Sequence, residues 1–150
     1  MKPEPRNMRR QRGSAIVEAA LIFLPFACML IGTVDIGQFL FIHTTLTERA
    51  REAVRYGSVN DPTNAVAIQN IVLYGQANGG SVPVTPSNND AGIFNVLRSN
   101  VSVIATGSAT QDYRLTVRIY NYAYQIYSPY IAGTYTGPNI YASLPLGINF

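Results

Sequence analysis

Residues 19–34, AALIFLPFACMLIGTV, are sixteen in a row without a charge, and they constrain this chain more than any other feature. Apolar residues resume at 36–42 after the single Asp35. A helix rises 1.5 Å per residue, so about 20 residues cross a hydrocarbon core of about 30 Å. Counted from Ser14, the crossing ends near Thr33–Asp35, which places the Asp35 carboxylate at the far interface, where it reaches water at little cost. Before the apolar run stand Lys2, Arg6, Arg9, Arg10 and Arg12 against one acid, Glu4. This cluster orients the segment by the positive-inside rule, with the N-terminus cytoplasmic and the following chain outside.

The same cluster accounts for the basic balance of the whole chain. From residue 60 onward three Arg (98, 114, 118) face three Asp (61, 90, 112), so the body offers no basic surface to nucleic acid. One cysteine, Cys28, excludes an internal disulfide and a Cys-based zinc site, and one histidine, His43, leaves little for His-dependent catalysis. No phosphate loop, metal-ligand spacing or nucleophile–base pair is visible, and no cofactor is implied. Composition speaks against an enzyme.

The helix does not end with the apolar run. Residues 43–56 contain no Gly or Pro, and Leu46, Ala50, Ala53, Val54 and Gly57 recur at helical spacing. Glu48–Arg51 and Glu52–Arg55 are i,i+3 pairs for the wetter side, and Gly57-Ser58 reads as the terminator. The expected helix spans 14–56, with Pro25 bending its apolar half and Gly32 and Gly37 as points of close approach or flexibility. His43 is a polar residue on its face.

Past Asn60 the composition changes. Asp61-Pro62 reads as an N-cap and first position for a helix over 66–74. Residues 75–89 read as loop with one short strand at 81–85, and residues 90–98 as a short helix capped by Asp90. Residues 101–106 alternate as a strand, 107–112 carry turn chemistry, and 113–126 give the longest strand signal. In that strand Leu115, Val117 and Ile119 share one face; Thr116, Arg118, Tyr120, Tyr122 and Tyr124 share the other. Residues 128–150 read as extended or loose. The expected fold is α+β: a leader (1–13), a long helix, half membrane and half amphipathic (14–57), and a small exported domain with an antiparallel sheet (58–150).

Eight of the ten tyrosines lie between Tyr113 and Tyr141. Such rings combine apolar area with a wettable hydroxyl, which suits a surface buried on assembly. Tyr120, Tyr122 and Tyr124 are therefore candidates for an assembly surface; the alternative is that they simply cover the outer sheet face.

Residues 12–57 resemble the TadE-like family, minor pseudopilins of the tight-adherence (Flp-type, type IVb) pilus. The matching pieces are Arg12-Gly13, Val17-Glu18, Ala20-Leu21, Pro25, Gly32, Asp35-Ile36-Gly37, Ala50-Arg51-Glu52-Ala53 and Arg55-Tyr56-Gly57. Ala19 stands where relatives usually place an aromatic, and Gln38 where an Arg is common. A basic leader, a Gly and a Glu five residues later also resemble the processing site of type IV prepilins. The resemblance implies cleavage by prepilin peptidase between Gly13 and Ser14. It further implies an inner-membrane subunit whose partners are other pilins or pseudopilins, the assembly platform and the bilayer. In that picture Glu18 pairs with a neighbour's Ser14 ammonium; an i,i+4 pair within one helix competes, and a Glu18 at the headgroup boundary needs no partner. A signal-anchored envelope protein, never cut and carrying an outer binding domain, is the alternative. An ordinary secretory signal fails for want of a small-residue cleavage site after the core, and a lipoprotein because Pro25-Phe26-Ala27-Cys28 matches only in Ala27.

Overall fold

The computed structural model describes residues 8–78, 85–108, 111–129 and 131–146. Helix α1 (Met8–Val59) has 52 residues and is about 78 Å long at the standard rise. The described helix already includes residues 8–13, ahead of the expected start, where Met, Arg and Gln are good helix formers. It continues on both sides of Pro25 and passes through Gly57. That glycine is not a terminator. A Cβ there would stand 2.5 Å from Leu115 Cδ2 and 2.7 Å from Ile68 Cδ1, so its role is close approach between α1 and the rest of the core.

Helix α2 (Ala65–Tyr74) is capped by Asn64, whose side chain accepts from the Ala67 amide at 3.1 Å. Asp61 sits one turn earlier and accepts from the Thr63 amide and hydroxyl at 2.8 and 2.6 Å, which holds its carboxyl below the usual range. The N-cap thus stands three residues after the expected Asp61, and Asp61-Pro62 form the turn into the helix. Gly75, at φ 74°, closes the far end by donating to the Ile71 carbonyl.

The expected short helix over 90–98 is absent. Two 3-10 turns (Ile93–Asn95 and Arg98–Asn100) take its place, with Phe94 and Asn95 at φ 54° and 57°. Asp90 caps nothing helical; it pairs with Arg98 Nε at 3.4 Å and accepts from the Ser87 amide. The Arg98 guanidinium is buried and also donates to Asn70 Oδ1 at 2.7 Å, so this loop is fastened to α2. Of the strand expected at 81–85, residues 81–84 lie outside the described residues.

Five strands follow: β1 (Val101–Ser108), β2 (Gln111–Ile119), β3 (Ala123–Ile126), β4 (Gly133–Thr136) and β5 (Ile140–Pro145). They form an antiparallel three-stranded sheet in the order β1-β2-β5 and a separate antiparallel hairpin, β3-β4. One expectation is corrected here. The strand over 113–126 is broken at Tyr120–Tyr122, where Asn121 has φ 54°, so β2 and β3 belong to different sheets. Of the C-terminal stretch expected to be extended or loose, the described residues take the extended alternative in β4 and β5, with Val117 opposite Ala142 and Ile119 opposite Ile140.

The core lies between the inner sheet face and the helices. Leu46, Ala50, Ala53 and Val54 of α1 and Ile68, Val72 and Leu73 of α2 meet Leu115, Val117 and Ile119, all 2% exposed or less. The helical and strand periodicities thus each identify their buried face. On the wet side of α1, among the described residues, the ion pair is Arg49–Glu52 at 3.3 Å rather than the two pairs expected from spacing.

Candidate functional site

Over residues 13–34 of α1 most side chains face outward. Ile16, Val17, Leu21, Ile22, Phe23, Leu24, Met29 and Val34 are each more than 60% exposed, a surface that water would not tolerate on a free helix. This is the one described helix long and apolar enough to cross a membrane. Gly13, Ser14, Val17, Glu18, Leu21 and Ile22 line a shallow groove on one stripe of it. Glu18 is exposed, and among the described residues it has no hydrogen-bond or ion-pair partner within the chain. The helix brings Ser14 and Glu18 to adjacent turns but does not join them by a hydrogen bond. Gly13 is helical and open, with nothing near its absent Cβ.

Asp35 departs from its expected place at a wet interface: it is 6% exposed. The segment after β3 folds back onto α1 and supplies three donors. The Tyr127 amide donates to Oδ1 at 3.0 Å, while the Ser128 amide and hydroxyl donate to Oδ2 at 2.7 and 2.5 Å. Ser128 itself is 8% exposed. A carboxylate shielded from water is stable when its lone pairs are filled in this way. The sequence signalled that an acid interrupting an apolar run needs a partner; nothing in it identified residues 127–128, more than ninety positions away, as that partner.

The three tyrosines do not share a face. The break at Asn121 turns Tyr122 inward, where it is 1% exposed, packs against Gly137 and meets His43 Nδ1 at 2.9 Å through its hydroxyl. Burial, with a smaller effect from Tyr124, pushes the Tyr122 phenol up. His43, expected to be a polar residue on the helix face, is thus bonded to the domain core. Tyr120 is half-buried; its hydroxyl donates to the Ser99 carbonyl, and Arg118 lies 5.5 Å from its ring. Tyr124 packs between Phe39 of α1, tilted at 4.8 Å, and Tyr135 of β4, stacked at 6.0 Å. The signal available for this break was Asn121 itself, one of the few residue types that readily accept positive φ.

Beside the Asp35 contact, Gly32, Ile36, Phe39, Tyr124, Ile126 and Ile131 enclose an apolar groove of about 290 Å³. Among the described residues no three His, Cys, Asp or Glu side chains group as metal ligands.

Against known proteins, residues 13–55 match the family model described as TadE-like protein. That is the family which the motif order of residues 12–57 resembles, and the match covers 43 of the 150 residues. No curated protein and no solved structure matches the chain.

Proposed function

We propose that this chain is a minor pilin-like (pseudopilin) structural subunit, not an enzyme, acting in biogenesis of a tight-adherence (Flp-type) pilus in the bacterial inner membrane. One observation carries the reading: the family match begins at Gly13 and runs along a helix whose apolar side chains face outward and whose Glu18 has no partner among the described residues. Prepilin peptidase cuts between Gly13 and Ser14 on the cytoplasmic side. Gly13 suits that step because a residue without a side chain lets the backbone enter a narrow cleft once the helix opens locally. Cleavage leaves an ammonium on Ser14. A charge at the centre of a membrane helix costs about 2.5–3.5 kcal/mol on translocon scales, less near the interface, so Glu18 gains by meeting that ammonium on a neighbouring subunit. Packing of α1 against related helices then recruits the subunit to the assembly platform.

Intact-mass measurement of the protein extracted from membranes tests the proposal. A chain beginning at Ser14 is the expected result. A chain retaining residues 1–13 refutes processing and favours the uncut signal-anchored alternative.

A further inference from the structure

Residues 119–150 contain no charged side chain, although they make up the last 32 residues of a chain with 19 charged ones. A water-facing surface of that length ordinarily carries both signs of charge. Within this stretch the exposed large apolar side chains fall in two places: Tyr127 (61% exposed), Ile131 (55%) and Tyr135 (40%) on the β3–β4 hairpin and its connection, and Tyr141 (59%) and Leu144 (36%) on β5. The hydroxyls of the hairpin cluster are already engaged. The Tyr127 hydroxyl donates to Gln125 Oε1 at 2.6 Å, and the Tyr135 hydroxyl to the Ile131 carbonyl at 2.8 Å.

The height of the hairpin cluster along α1 is set by the Asp35 contact. Ile131 lines the groove opposite Gly32 and Ile36. Gly32 and Asp35 lie about 27 and about 32 Å along the helix from Ser14, at the far boundary of a hydrocarbon core of about 30 Å. Beside them on α1, Ile36 is 63% exposed and lines the same groove as Ile131, so the apolar surface passes from helix to hairpin without a charged break. Tyrosine is the residue type that settles at this level, with its ring in the acyl boundary and its hydroxyl among headgroups.

We infer that the β3–β4 hairpin is a second membrane contact, its Tyr127, Ile131 and Tyr135 side chains seated in the outer interface of the bilayer that α1 crosses. The occupant of this surface is lipid: it is continuous with the membrane-facing side of α1, at the depth where that side meets the headgroups. The Asp35 hydrogen bonds then have a second consequence. They hold the hairpin at this depth while sparing the carboxylate a position against hydrocarbon. The exported domain is thereby fixed in height and rotation on the membrane instead of swinging on its helix. The inference rests on α1 spanning the bilayer.

The chain has no tryptophan, so a single introduced one reports its own site. Full-length Ile131→Trp and Tyr127→Trp proteins are reconstituted in vesicles of phosphatidylethanolamine and phosphatidylglycerol, with or without brominated acyl chains. Phe23→Trp, on the apolar half of α1, is the reference for spanning, and Ile104→Trp, exposed on β1, is the reference for water. The expected result is blue-shifted emission and loss of most fluorescence to bromine at 131, 127 and 23, with no loss at 104. Quenching at 23 without quenching at 131 and 127 overturns the inference and leaves α1 as a span. Blue-shifted but unquenched emission at 131 and 127 also overturns it, because protein rather than lipid then covers the hairpin. Absence of quenching at all four sites refutes the span itself, and the inference falls with it.

Discussion

Replacing Asp35 with Asn keeps shape and volume but removes one acceptor oxygen, and the geometry of the contact sets the cost. Three donors converge on two oxygens: the Tyr127 amide on Oδ1, and the Ser128 amide and hydroxyl on Oδ2. An asparagine amide offers a single oxygen, and in either flip its NH₂ group faces a donor. In the better orientation the oxygen keeps the two Ser128 bonds and leaves the Tyr127 amide orphaned. A lost hydrogen bond to a charged group, or a buried donor left unpaired, costs about 1.5–3 kcal/mol, and the retained bonds weaken once the charge is gone. The sum is about 3 kcal/mol. Asp35 lies about 16 Å along α1 from Leu46 of the main core, so the loss falls on local opening of the hairpin rather than on global unfolding. Amide hydrogen exchange in nanodiscs reads it directly. At 1.4 kcal/mol per tenfold, Tyr127 and Ser128 should exchange about 100-fold faster in Asp35→Asn, while the β2 amides change little. Ser128→Ala, which removes only the hydroxyl bond, should accelerate exchange about 10-fold. Unchanged exchange at 127 and 128 in Asp35→Asn would refute the reasoning, as would wild-type exchange already at free-loop rates.

Gly13→Leu should leave an uncut precursor in the membrane, whereas Glu18→Ala should be cut yet fail to incorporate; normal piliation in Glu18→Ala cells removes the pairing mechanism, and loss of cleavage assigns Glu18 to peptidase recognition. Tyr122 has its folded pKa raised above the ordinary 10.0 by burial, so its stabilising contribution is complete below pH 10 and is lost as pH rises through the higher folded value. Tyr122→Phe should therefore cost about 1 kcal/mol at neutral pH through the lost His43 bond, and should flatten the alkaline fall in thermal unfolding midpoint. Gly57→Leu should destabilise the domain by about 1–3 kcal/mol or more in thermal unfolding, because its side chain enters space held by Leu115 and Ile68, against a helix-propensity gain of about 1 kcal/mol. Gly37→Ala, with nothing within 4 Å of the new Cβ, should show only the gain.

The long helix was legible in the sequence because its causes are local. Absence of charge over 19–34, the spacing of Leu46, Ala50, Ala53 and Val54, and the run of helix formers between breakers act within a few turns of where they are written. The buried face of β2 was legible for the same reason: Leu115, Val117 and Ile119 alternate with polar neighbours, and all three are fully buried. Helix α2 was placed within one residue at its start, although its cap was not, because two Asx side chains three residues apart compete for that role.

The tertiary structure decided what depends on partners distant in the chain. Tyr122 continues the alternation of Tyr120 and Tyr124, and only a positive φ at Asn121 sends it into the core toward His43, 79 residues away. Residues 140–145 carry a weak strand pattern of their own and become β5 because β2 has a free edge with matching apolar positions. Gly57 was indistinguishable from a helix terminator until Leu115 and Ile68 were seen against it. Asp35 needed a partner by the physics of a carboxylate in an apolar run, but any polar segment could have met that need. Which segment does so was settled by the hairpin's packing of Tyr124 on Phe39, which brings the amides of residues 127 and 128 onto the carboxylate. Periodicity is written along one stretch of chain, whereas a hydrogen bond between distant residues exists only after the backbone has folded them together.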